Sequence, residues 1–204
     1  MARAPRILSG RFRGRGVRVV RGVRPTESRV REALFNIWSA RIADCSFLDL
    51  FAGSGAMGFE ALSRGAARVT WVEKQGQAVA AIRQTLEDLL ASDGGVSDTL
   101  ARGSPQLRVL RLDVPTKVPR SLAVDSPWDL IYADPPYSFG RLAGLASGMK
   151  PLLREGGTLA IEHSSRSDSA VFEAVAGLRC TDRRSWGDCA VTFFEPIAST
   201  EARS

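Results

Sequence analysis

The stretch FLDLFAGSGAMGFEAL, residues 47–62, constrains the fold more than any other part of the chain. A buried-strand run from Phe47 to Phe51 meets Gly53-x-Gly55-x-x-Gly58, and a helical pattern follows from Gly58 to Arg64. A tight glycine turn that feeds a strand into a helix belongs to a parallel sheet, where each strand must return through a crossover connection.

The rest of the chain repeats that alternation. Strands are expected over Arg68 to Glu73, Leu107 to Leu112, a run ending at Asp134, and Thr158 to His163. Helices are expected over Gln77 to Leu90, Leu142 to Leu153 and near Ser169 to Ala176, with Gly156-Gly157 as a turn. A last pair of strands surrounds Trp186-Gly187-Asp188 and predicts an antiparallel edge hairpin. Residues 91–105, ASDGGVSDTLARGSP, read as a polar surface loop. With 204 residues and no internal repeat, one α/β domain with a mostly parallel sheet and helices on both faces is expected.

In literal form the glycine motif is a dinucleotide fingerprint, and Glu73 stands 20 residues after Gly53, where an acid can hold ribose hydroxyls. Asp49, four residues before the first glycine, points elsewhere. A pyrophosphate would be repelled by a carboxylate at its loop, whereas S-adenosylmethionine carries an ammonium and a sulfonium and no phosphate. The competing role for Asp49 is a helix-capping or turn carboxylate. Asp113, at the end of the third strand, can accept from an adenine amino group or cap a loop.

A second feature lies in DLIYADPPYSFG, residues 129–140. Proline lacks a ladder N–H, so the strand must stop at Asp134-Pro135-Pro136-Tyr137. Ligands on open α/β sheets bind beyond the carboxyl ends of the strands, and Asp49, Glu73, Asp113 and Asp134 all fall at such ends. An exocyclic amino group on a nucleobase is planar and poorly nucleophilic, because its lone pair is delocalised. Asp134 and the Pro135 carbonyl supply two acceptors that favour a tetrahedral nitrogen, and Tyr137 offers a face for an unstacked base. His163, the one histidine, reads as a strand-end residue rather than a general base.

The charge is concentrated at one end. Residues 1–31 hold ten arginines against Glu27 alone, a net +9 within a chain of net +6. RILSGRFRGRGVRVV (6–20) reads as a β-hairpin with an arginine-laden turn, and a helix follows with Thr26 as N-cap. Val30, Leu34, Ile37 and Trp38 form its apolar face, leaving Arg29, Arg31 and Asn36 available. Such a block suits a polyanion; a solvated basic tail is the alternative. Cys45, Cys180 and Cys189 are odd in number and widely spaced, which argues against a disulfide framework and a zinc site. No segment approaches the ~20 apolar residues of a membrane span, and the N-terminal charge is followed by no apolar run, so a reducing cytoplasm is expected.

D-x-F-x-G-x-G paired with DPPY about 80 residues later resembles the RsmD-type methyltransferases, which modify the exocyclic N2 of a guanine in small-subunit (16S) ribosomal RNA. RILSGRFRGR (6–15), RPTESRVREALFN (24–36), LDLFAGSGAMGFEALSRGA (48–66), VTWVEK (69–74), DLIYADPPY (129–137) and GDCAVTFFE (187–195) carry the resemblance. It implies a class I, Rossmann-like methyltransferase fold, with a basic extension over residues 1–40 and a methyltransferase domain over 41–197. It implies S-adenosylmethionine at Asp49, Phe51, Ala52, Gly53, Ser54, Gly55, Glu73, Lys74, Asp113 and Val114, and the target amino group at Asp134, Pro135, Pro136 and Tyr137. It also implies RNA contacts from Arg11, Arg13, Arg15, Arg24 and Arg29, and a substrate within a 30S assembly particle, with neither metal nor membrane involved.

Adenine-N6 methylation would use the same chemistry at the same corner. Cytosine-C5 methylation needs a thiolate that none of the three cysteines is placed to supply. A glutamine methyltransferase would have no use for the +9 extension, and an inactive ribosome-assembly binding protein would have no use for the Asp134 corner.

Overall fold

Apolar runs and amphipathic segments alternate in space as they do in the chain. The computed structural model describes residues 4–20, 28–92, 106–114, 120–167, 172 and 175–197. Two compact units divide it, Met1–Asp113 and Val114–Ser204.

In the first unit, β1 (Ser46–Leu50), β2 (Arg68–Glu73) and β3 (Gln106–Arg111) run parallel in the order β3-β2-β1. Helix α2 (Ala56–Ser63) connects β1 to β2, and α3 (Gly76–Ala91) follows β2. Every residue of β1 and of α2 is buried, which accounts for their nearly continuous apolar sequence. Leu112 N–H donates to the Glu73 carbonyl, carrying the β2–β3 pairing one residue past the strand.

Before β1 comes α1 (Ser28–Ile37), and its buried face differs from the expected one. At about 100° per residue, Val30, Leu34, Trp38, Arg31 and Phe35 share one arc, with Arg31 inside it and Ile37 at its edge. Ile37 is accordingly 43% exposed, whereas Arg31 is 1% exposed and is not the available cation that its charge suggests. Burying Leu34 and Phe35 together leaves Arg31 nowhere else to go. Phe35, Trp38 and Phe47 meet as a cluster with ring centroids 5.6 to 5.9 Å apart, joining α1 to β1.

The arginine-rich segment 5–17 forms the expected hairpin, though with a single antiparallel bridge, Arg6 to Gly16. Ile7 N–H donates to the Arg15 carbonyl at 3.0 Å and Gly14 N–H to the Ile7 carbonyl at 2.8 Å, closing the turn. Ile7, Phe12 and Val17 are buried and anchor it, while Arg11, Arg13 and Arg15 face solvent. Thr26, the expected N-cap, and most of the 91–105 loop lie outside the described residues.

In the second unit, α4 (Arg120–Ala123) precedes β4 (Trp128–Ala133), and α5 (Leu142–Met149) leads through a short 3-10 turn (Lys150–Leu152) into β5 (Leu153–Ser164). β4 and β5 are parallel; β7 (Cys189–Pro196) and β6 (Leu178–Trp186) add antiparallel strands in the order β5-β7-β6. The helix thus ends at Met149 rather than Leu153, and Pro151 lies in the 3-10 turn that closes it. Gly156-Gly157 is no turn between elements. It sits within the 12-residue β5, where the pairing jumps from Trp128↔Leu153 to Leu130↔Thr158. Gly156 takes φ 70° at this bulge, which absorbs the extra residues without ending the strand. The helix expected near Ser169 to Ala176 falls largely outside the described residues.

The face of α1 can be checked by contrast. Leu34→Ala should lower stability by about 2–5 kcal/mol in urea unfolding, whereas Ile37→Lys should stay within about 0.5 kcal/mol of the parent.

Candidate active site

The loop after β1 turns through three left-handed residues, Phe51 (φ 57°), Gly53 (φ 55°) and Gly55 (φ 77°). Phe51 is not glycine, and this conformation costs a non-glycine residue about 1–2 kcal/mol, so its surroundings must hold it. Ala52 N–H donates to the Val72 carbonyl at 3.0 Å, and Gly55 N–H to the Ala52 carbonyl at 2.6 Å.

Side chains from β1 and β2 complete the hold. The buried Asp49 carboxylate accepts the Gly58 N–H through Oδ2 at 3.0 Å, satisfying one of the donors that a helix start leaves unpaired. Asp49 therefore does serve as a capping carboxylate of α2. Glu73, also buried, accepts the Gly53 N–H through Oε2 at 2.9 Å and the Gln75 N–H through Oε1 at 2.7 Å. The structure thus brings Asp49, Gly53, Gly55 and Glu73 into one hydrogen-bonded loop.

Trp71 belongs with them and was not singled out from the sequence. Its indole Nε1–H donates to the Gly55 carbonyl at 3.0 Å, and its ring packs on Phe59 at 4.9 Å. A Cβ on Gly58 would overlap the Trp71 indole nitrogen, so the third glycine of the motif exists to let α2 lie against β2. A signal was present: Trp71 and Glu73 are two residues apart on one strand face, so the tryptophan shares the acid's side of β2. At the neighbouring strand ends, Lys74 Nζ lies 3.9 Å from Asp113 Oδ1 with both groups largely exposed, a weak pairing. Val114 is buried and Asp113 exposed.

In the second unit, β4 is buried from Leu130 to Ala133; Asp134 is half-buried and Pro135 buried, while Pro136 and Tyr137 face solvent, Tyr137 at 52% exposure. The strand stops where the prolines require. Phe139 N–H donates to the Pro136 carbonyl at 2.7 Å and Arg141 N–H to the Phe139 carbonyl at 2.9 Å, so the segment leads by tight turns into α5. The Arg141 guanidinium lies 5.8 Å from the Phe139 ring centroid.

Behind this corner two buried polar pairs tie the strands together. The Tyr132 hydroxyl of β4 donates to the Glu162 carboxylate of β5. His163 has Nδ1 2.8 Å from the Ser164 carbonyl and Nε2 2.8 Å from the Thr192 hydroxyl. A carbonyl can only accept, so Nδ1 carries the proton and the Thr192 hydroxyl donates to Nε2. Burial pushes the imidazole below its usual value, the Ser164 carbonyl opposing and the Arg183 charge adding to the shift. His163 is a neutral bridge between β5 and β7, one residue before the end of β5. Among the described residues, no group of three or more His, Cys, Asp or Glu side chains is placed to hold a metal ion.

The family described as Conserved hypothetical protein 95 matches residues 5–195. Ribosomal RNA small subunit methyltransferase D of Escherichia coli (strain K12) is 38% identical over 159 residues, spanning 77% of this chain and 70% of that protein. This chain belongs to the RsmD-type methyltransferase family. The solved structure of yhhF from Escherichia coli matches at a TM-score of 0.71 and 30% identity, covering 96% of this chain and 99% of that one. A hypothetical protein of Thermus thermophilus matches at 0.70 and 29% identity, covering 95% and 99%. The mostly parallel α/β fold with its antiparallel C-terminal strands is the class I methyltransferase fold.

Of the arginines that an RsmD-type methyltransferase would be expected to turn toward RNA, Arg11, Arg13 and Arg15 are exposed on the hairpin turn and Arg29 is exposed on α1. Arg24 lies outside the described residues.

Two measurements probe the packing of α2 on β2 and the pairing of β5 with β7. Alanine normally stabilises a helix interior over glycine by about 1 kcal/mol; Gly58→Ala should reverse that sign and cost about 1–3 kcal/mol, because its methyl overpacks Trp71. The depressed His163 pKa makes its contribution complete above about pH 6.5, the unfolded value, and lost as the pH falls through the folded value. The urea midpoint should therefore fall from pH 7 to pH 5, and His163→Gln should flatten that decline.

Proposed function

We propose that this protein transfers a methyl group from S-adenosylmethionine to the exocyclic N2 of a guanine in small-subunit ribosomal RNA, within an assembling 30S particle. The observation that carries the reading is the Asp134-Pro135-Pro136-Tyr137 corner, which sets a half-buried carboxylate beside an exposed aromatic residue at the end of a buried strand. Membership of a family that includes ribosomal RNA small subunit methyltransferase D supports the ribosomal substrate.

The residues present fit the cofactor. Glu73 uses two of the roughly four acceptor positions of a carboxylate on backbone N–H groups, leaving others for ribose hydroxyls. Asp49 holds the loop from beneath through Gly58 rather than facing outward as a free charge. Phe51, Ala52 and Gly53 are half-exposed, so the loop backbone is open to a ligand. Asp113 supplies an exposed acceptor for an adenine amino group, and Ser54, Gly55, Lys74 and Val114 complete the surroundings. When bound, S-adenosylmethionine supplies an electrophilic methyl on a sulfonium.

Asp134 and the Pro135 carbonyl accept hydrogen bonds from the guanine amino group, which draws its nitrogen toward a tetrahedral form with a usable lone pair. Tyr137 stacks on the unstacked base, and Asp134 or water takes the released proton. Residues 1–40 contact RNA and residues 41–197 carry the chemistry. A cytoplasmic location follows from this substrate; among the described residues no helix is long and apolar enough to cross a membrane.

Incubation with labelled S-adenosylmethionine and undermethylated small-subunit particles, followed by nucleoside mapping, should yield N2-methylguanine. N6-methyladenine would overturn the choice of base, and no transfer would overturn the enzyme. Asp134→Ala should abolish transfer while calorimetry shows cofactor binding largely retained.

A further inference from the structure

We propose that Glu60 is a positioning residue for RNA binding, a buried carboxylate that locks the arginine turn onto α2 so that Arg11, Arg13 and Arg15 meet phosphates from a rigid mount. The proposal rests on the reading of that turn as an RNA contact.

Glu60 is 0% exposed, and a carboxylate so placed is tolerated only when its lone pairs are used. Its partners converge from three directions. Oε2 accepts the Leu8 N–H at 2.8 Å, and Oε1 accepts the Ser9 N–H at 3.1 Å. Arg64 Nε donates to Oε1 at 2.8 Å, and Arg31 Nε lies 3.7 Å from Oε2. Arg31 reaches on to the hairpin itself, donating from Nη2 to the Arg6 carbonyl at 2.8 Å.

Ser63, on the same face of α2 one turn later, makes the second grip. Its hydroxyl donates to the Ser9 carbonyl at 2.6 Å and accepts the Phe12 N–H at 2.9 Å, and its carbonyl accepts the Arg11 N–H at 2.8 Å. Gly10, at φ 80°, lies so close that a Cβ there would overlap the Ser63 carbonyl. Much of the backbone from Arg6 to Phe12 is thus consumed by α2 and Arg31, and the arginine side chains of the turn are what remains for solvent.

That arrangement has a thermodynamic consequence. Arginines on a disordered tail must be ordered when they bind, and arginines on a fixed turn already are. Loosening the mount should therefore weaken RNA binding without removing a charge from the arginines. Glu60 is distinct from the side chains that hold the glycine loop, Asp49, Trp71 and Glu73, so cofactor affinity is the internal control.

The test uses the full chain with a small-subunit ribosomal RNA transcript, measured by filter binding across a salt series, and with S-adenosylmethionine by calorimetry. Glu60→Gln sets an amide NH2 against the Leu8 and Ser9 donors, and Gly10→Ala displaces the turn while keeping every charge. Each should raise the RNA Kd about tenfold, the scale of one charge-assisted hydrogen bond. Both should keep the parent's salt slope and its cofactor affinity. Replacing Arg11, Arg13 and Arg15 with alanine should instead shrink the salt slope, by about one for each phosphate no longer neutralised. Parent-like RNA binding by Gly10→Ala and Glu60→Gln, beside a weakened arginine triple variant, overturns the positioning role and leaves the RNA reading standing. A triple variant with an unchanged slope removes the RNA reading and the proposal with it. Parallel loss of RNA and cofactor affinity marks a general structural defect and also overturns it. If Glu60→Gln does not fold, Gly10→Ala decides.

Discussion

The contact on which the rest depends is the one between the Gly58 backbone and the Trp71 indole. Helix α2 must leave the glycine loop at an angle that lays it on β2, and any side chain at Gly58 would hold the two apart. With the helix seated, the Gly58 N–H reaches Asp49 and the Trp71 N–H reaches the Gly55 carbonyl. The loop is therefore held from below by β1 and β2, and Phe51 can keep a left-handed conformation that it would not adopt alone.

The same helix carries the polar part of the unit. Its first turn is capped by an acid from β1 and its last turn binds the arginine hairpin through Glu60 and Ser63. The buried Arg31 and Glu60 are best understood as determinants of where the hairpin sits. Buried ion pairs contribute little net stability over apolar replacements, although removing one partner is costly. Arg18, paired through its guanidinium with Asp88 of α3, adds an exposed contact further along the same segment.

In the second unit, strand continuity and strand interruption divide the work. β4 ends where Pro135 and Pro136 deny it ladder donors, which brings Asp134 and Tyr137 to the strand's end. β5 runs on past that point, and its last residues pair with β7 from Glu162↔Val191 to Ser164↔Cys189. Tyr132–Glu162 and His163–Thr192 satisfy the polar groups buried there, so the corner stands on a closed framework.

Much of this was legible in the residues themselves. The strand–glycine–helix passage, the alternation that makes the sheet parallel, the strand end at Asp134 and the basic turn are local properties of short stretches, set by backbone sterics and by the period of apolar residues. What could not be read locally was which polar groups meet. Arg31 looked like an available cation on an amphipathic helix and Gly156-Gly157 like a turn rather than a bulge, while Glu60 and Trp71 carried no signal of their own. The sequence by itself determined where β4 stops and where the chain turns after β1, because proline and glycine act there through their own covalent geometry. Only the tertiary structure decided that Ile37 is exposed, that Arg31 is buried, and that Asp49 caps the helix it precedes. Those outcomes depend on partners brought from distant parts of the chain, and burial selects them only once the helices are packed.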